Sequence, residues 1–190
     1  MLYTELVVTA MILMVIMLYN NIVLYKIKIN DLLTQIVIFT LILCVSDLVI
    51  NMVQYKAELV WLDYIGECTF TIASLAVCAI LLRYVMVRLD CDIKRKWQKV
   101  ILFYIPNGFM FLLCVSTPWT KLLYYTDENN VMKSTDLYSI YIALLALYIV
   151  LAVVISLIVL LRSPKHDTDK RQTAITMLFF GGFIFVTHLI

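Results

Sequence analysis

The sequence predicts an all-α membrane protein, a polytopic helical bundle, on three observations. The chain has 190 residues, 64% apolar and only 15% charged, which leaves too little polar surface for a water-soluble domain of that size. Its apolar residues fall in runs of roughly 18–26, long enough at about 1.5 Å per residue to cross about 30 Å of hydrocarbon. Lysine and arginine gather on alternate connections between those runs. Such runs have to be helical, because lipid offers the backbone N–H and C=O groups no partner.

The six spans, in order, are about 5–25, 31–54, 64–89, 97–116, 138–161 and 173–190. The first has no small-residue cleavage site after it and reads as a retained anchor. The fourth contains Pro106, which should kink the helix and free a carbonyl one turn earlier. The sixth is still apolar at Ile190, with no polar flank after it. A natural protein seldom stops that way, so a seventh span is expected beyond Ile190. Residues 1–190 then form one membrane domain, and no internal repeat divides it.

Counting lysine and arginine by side sets the expected orientation. One side holds eleven: Lys26 and Lys28; Arg88, Lys94, Arg95, Lys96 and Lys99; Arg162, Lys165, Lys170 and Arg171. The other holds three, Lys56, Lys121 and Lys133. The bias places the N-terminus outside, together with the long polar loop over 117–137. Trp119, Tyr124, Tyr125 and Tyr138 give that loop the aromatic edges of an interfacial belt. The lipid bilayer is the first partner implied. The basic run Asp92-Ile93-Lys94-Arg95-Lys96-Trp97-Gln98-Lys99 is accounted for as a topology signal facing anionic headgroups, and nothing else points to nucleic acid.

Ionisable residues within spans are costly to bury and so become the candidate ligand-binding residues. Asp47 and Asn51 lie one turn apart on one face of the second span. Glu67 opens the third span after Gly66, and His188 lies near the outer end of the sixth. On helices of these directions all four fall in the outer half of the bilayer, beneath the 117–137 loop. A pocket there would suit a small polar or cationic ligand. Each also has a plainer role: helix–helix hydrogen bonding for Asp47, a helix-dipole charge for Glu67, a span-end residue for His188. Trp119, Tyr124 and Tyr125 are the loop candidates, and Pro106, Gly181 and Gly182 the hinge candidates. Arg83 lies near the inner end of the third span, where a long side chain can snorkel.

Catalysis has little footing. There is no H-E-x-x-H, G-x-S-x-G or P-loop pattern, no Cys/His spacing suited to a metal and no cofactor motif. The five cysteines do not pair across outer loops, so no disulfide framework is predicted.

From Ile105 the chain reads IPNGFMFLLCVSTPWTKLLYYTDENNVMKSTDLYSIYIALLALYIV. It resembles the N-terminal multi-helix module of Gram-positive signalling proteins, chiefly GGDEF-type diguanylate cyclases and more distantly sensor histidine kinases. Four features carry the resemblance: Pro106 in the fourth span, Thr117-Pro118 at its end, the Tyr124, Tyr125, Asp127, Asn129 and Asn130 turn, and the tyrosines at 138, 141 and 148. Asp47 matches an Asp often found in that module's second span, and Lys170-Arg171-Gln172-Thr173 its basic loop before the sixth span. The chain departs from the pattern at Met132-Lys133-Ser134-Thr135, where the family often has Tyr and an Arg-Gly pair. The resemblance implies seven spans in a bacterial cytoplasmic membrane, a homodimer, and an output domain beyond this sequence. The expectation is therefore a sensory receptor module that is not itself an enzyme. A small transporter or channel is the alternative, and an intramembrane enzyme the third. The inner halves of the second, fourth and fifth spans are almost wholly apolar, which disfavours a transport path.

Overall fold

A computed structural model describes residues 2–20, 31–53, 56–91, 93–127, 132–162, 168 and 170–178. Helix α1 covers Leu2–Tyr19, α2 Leu32–Val53 and α3 Val60–Arg88, with a 3-10 turn at Ala57–Leu59 leading into α3. Helix α4 runs Lys96–Thr120, α5 runs Tyr138–Arg162, and α6 covers 170–178. Between α4 and α5 lie two short strands, β1 Tyr124–Thr126 and β2 Met132–Ser134. The all-α fold of apolar helices is as predicted. Among the described residues four helices are long and apolar enough to cross a membrane, α2 to α5, while the apolar part of α1 is the shorter Val7–Tyr19. The candidates His188, Gly181 and Gly182 lie outside the described residues.

Two expected boundaries move. Helix α3 begins at Val60 rather than Tyr64, which brings Asp63 inside it. Helix α4 continues to Thr120 rather than stopping at Ser116, so Thr117 to Thr120 leave the predicted loop and Pro118 sits inside a helix. The rest of that loop is an antiparallel hairpin that pairs Tyr124 with Ser134, Tyr125 with Lys133 and Thr126 with Met132.

Helix α3 is the centre of the bundle. It packs against α2, α4 and α5, whereas α1 packs on α2. In its most apolar stretch 44% of residues are buried, against 17% in α2, 22% in α4 and 33% in α5. Its face toward α2 needs a small residue. A Cβ on Gly66 would stand 2.9 Å from the Ile50 side chain, closer than real contacts allow, so glycine there sets the approach of the two helices. Leu75, Leu82 and Val85 fill the core along its length, with Met110 from α4 and Tyr148 from α5.

Both prolines of α4 leave a carbonyl without its helical donor, and neighbouring helices supply one. Pro106 has no N–H for Leu102 one turn earlier, and Tyr148 Oη donates to the Leu102 carbonyl at 2.7 Å. The expected disturbance takes the form of a π-helical turn at Val100–Tyr104, with Ile105 N–H bonded to the Val100 carbonyl. Asn107 Nδ2 donates to the Phe103 carbonyl at 2.7 Å in the same region. Pro118 likewise has no N–H for Cys114, and Cys68 Sγ of α3 points its weak donor at the Cys114 carbonyl, 3.4 Å away.

Candidate functional site

The hairpin end of α3 gathers most of the polar side chains that the bundle buries. Asp63, Glu67, Thr71 and Ser74 recur at spacings of four, four and three, which places them on one stripe of the helix. The stripe was legible in the sequence, but it emerges only when weakly polar Thr and Ser are counted with the carboxylates.

The hairpin is docked onto that stripe. Leu123 is fully buried and Tyr124 almost so. Thr71 Oγ1 and Tyr124 Oη share a short hydrogen bond. Burial pushes the Tyr124 phenol well above its ordinary range, with the Thr71 bond acting in the opposite direction, so the hydroxyl stays protonated. Ser74 Oγ donates to the Thr71 carbonyl at 3.0 Å and meets Tyr141 Oη at 2.7 Å. With its single proton committed to the carbonyl, Ser74 accepts from Tyr141. Tyr138 lies between the two phenols with its ring tilted to both, its centroid 5.5 Å from Tyr124 and 4.9 Å from Tyr141. The hairpin is closed on its other side by Thr135, whose N–H bonds the Leu123 carbonyl at 2.9 Å and whose hydroxyl bonds the Leu122 carbonyl. Lys133 and Asp127 pair across it at 2.9 Å, and that contact holds the lysine above its ordinary range.

Beside the docked hairpin lie three carboxylates. Asp63 and Asp47 both stand within electrostatic reach of half-buried Glu67. Asp63 is only 4% exposed, and its Oδ1 has no hydrogen-bond partner among the described residues. Of the predicted ligand residues, the structure therefore brings Asp47 and Glu67 together. Asn51 is exposed and bonds back to its own helix, its Nδ2 2.7 Å from the Asp47 carbonyl and 3.3 Å from Asp47 Oδ1. Of the loop candidates only Tyr124 joins the cluster; Trp119 is 75% exposed and Tyr125 lies on the outer face of the hairpin. Asp63, Thr71, Ser74 and Tyr141 belong to the cluster and were not predicted. Among the described residues no three His, Cys, Asp or Glu groups stand close enough to hold one metal ion.

The opposite end of α3 is tied to α6. Asp90, just past α3 and in the left-handed region at φ 55°, pairs with Lys170 of α6 at 2.6 Å. Arg88 lies over the Tyr84 ring, 5.5 Å from its centroid, with Nε 3.2 Å from the phenol oxygen.

No protein-family model, curated protein or solved structure matches this chain.

Proposed function

We propose that this chain is the membrane-embedded sensory module of a signalling protein, and that it responds to a small cationic or polar ligand at the hairpin end of the bundle. One observation carries the reading: a buried Asp63 oxygen, without a donor among the described residues, stands beside Glu67 and Asp47 under a hairpin hydrogen-bonded to the central helix. A carboxylate oxygen kept from water without a partner is costly, and an ammonium or hydroxyl ligand would relieve that cost. Because α3 touches α2, α4 and α5, a ligand bound there acts on the helix through which the bundle is organised. It must prefer one arrangement of the bundle over another, since equal affinity for both shifts nothing. On this reading the N-terminus and hairpin face outward in a bacterial cytoplasmic membrane. The signal passes to an output module of the diguanylate cyclase or kinase kind, working as a homodimer.

The exposed Cys91, one residue past Asp90, is a native reporter at the far end of α3. The test uses protein in nanodiscs and a panel of ethanolamine, choline and putrescine. A sensor is expected to show an amine-dependent rise in thermal stability together with a changed rate of Cys91 alkylation, both lost in Glu67→Gln and Asp63→Asn. Thermal shifts without any change at Cys91, or none from any amine, would overturn the sensory reading. Amine flux into proteoliposomes would favour the transporter instead.

A further inference from the structure

Outside the hairpin site, the side chain most in need of a partner is Arg83. A cleft of about 480 Å³ opens between α2, α3 and α4, running along α3 from Ile72 to Arg83. Its volume lies in the range of ligand pockets. Phe39, Ile72, Ala76, Ile80 and Phe111 line it together with the polar Gln35 and Asn107, and Arg83 is the one charged residue among the described lining. Unlike Arg88, Arg83 makes no hydrogen bond or ion pair among the described residues, and its Nε is buried without a partner. Arg83 lies five residues before the end of α3, about 7.5 Å along the helix axis. The wall runs on from Arg83 to Ile72, about 16 Å further along the axis, roughly one leaflet of the hydrocarbon. Gly108 also lines the cleft, and a Cβ there would meet nothing within 4 Å.

We infer that this cleft is a binding site for an anionic phospholipid, with its phosphate on Arg83 and one acyl chain along the apolar wall. A lone guanidinium in apolar surroundings calls for a counter-charge, and a phosphodiester offers two oxygens to its planar fork. Among the described residues the carboxylates at that end of the bundle are Asp31 and Asp90, which lie beyond the helix ends and are engaged by the Leu33 N–H and by Lys170. The carboxylates within the described spans α2 to α5 are Asp47, Asp63 and Glu67, all toward the hairpin end. A second copy of the chain would bring the same spans and the same lack. An amphiphile with a single negative head and a chain one leaflet long fits both the charge and the length.

The test is native mass spectrometry of the purified chain exchanged into mixed micelles of phosphatidylglycerol and phosphatidylcholine. The wild-type chain is expected to retain the anionic lipid about tenfold or more over the neutral one, the effect of a charge-assisted hydrogen bond. Arg83→Gln should erase that preference, and Arg88→Gln should leave it intact. Gly108→Leu should lower retention of both lipids by filling the cleft, without loss of thermal stability. Preference unchanged in Arg83→Gln, or lost equally in Arg88→Gln, would overturn the assignment. So would displacement of the lipid by millimolar inorganic phosphate, which would make the site one for a free anion, or a lipid-free dimer in place of the lipid-bound chain. If Arg83→Gln fails to fold, Gly108→Leu decides alone: undiminished retention there rejects the site.

Discussion

Both ends of α3 bury a polar atom without a partner among the described residues, Asp63 Oδ1 at one and Arg83 Nε at the other, but they differ in how much protein closes around it. At the hairpin end the hydroxyls of Thr71 and Ser74 are met by tyrosines from the hairpin and from α5. At the other end Arg83 has no partner among the described residues and faces a cleft. Two glycines repeat the contrast. Gly66, near the hairpin, has Ile50 where a side chain would go, while Gly108, on the cleft, has open space. Around Gly66 protein packs against protein and leaves little room for change, whereas beside Gly108 a cleft stays open between three helices.

The largest effect expected from breaking this contrast is at Gly66. Gly66→Leu forces α2 from α3 and should cost about 1–3 kcal/mol, the usual range for overpacking. Chemical unfolding in detergent measures it, and a midpoint equal to wild type would mean that the helices do not approach so closely. Next comes the Thr71–Tyr124 bond. Thr71→Val leaves a buried phenol without its partner and should lose about 1–2 kcal/mol, whereas adding Tyr124→Phe should restore part of the loss. A double-mutant cycle reads this coupling, and strict additivity would show that the hairpin is not held by that bond. Tyr148→Phe, which removes the donor to the Leu102 carbonyl, should cost less, about 0.6 kcal/mol. Amide exchange across Val100–Tyr104 should rise with it; protection unchanged there would separate Tyr148 from the π-helical turn. The smallest effect has the opposite sign. Gly108→Ala adds helix propensity in open space and should gain about 0.5–1 kcal/mol, so a loss would place an unseen neighbour in the cleft.

How legible each feature was in the sequence depends on how it is encoded there. Span positions are written in run length alone, so α2 and α5 fall within a residue or so of expectation. Ends are written less clearly. Thr117-Pro118 stands just past the expected end of the fourth span, yet the helix passes through it with Cys68 facing the carbonyl that proline leaves unmet. The hairpin has strands of three residues, too short for an alternating pattern to show. Asp47 and Glu67 stood out as charges within spans. Asp63 lies one residue before the expected start of the third span and so does not stand out as a charge within it. Thr71 and Ser74 take their meaning from Tyr124 and Tyr141, 53 and 67 residues away, and no local pattern reveals such partners.

The proline carbonyls of α4 bear on how the chain is assembled during synthesis. The Cys114 carbonyl looks to Cys68, in a span already made when α4 leaves the ribosome, but the Leu102 carbonyl waits for Tyr148, which is made 46 residues later. Until α5 arrives, α4 enters the bilayer with an open backbone acceptor, a state that hydrocarbon penalises by several kcal/mol. Helix α4 therefore completes its backbone hydrogen bonding around Pro106 only once α5 is in place. The order of the genetic message becomes part of the fold.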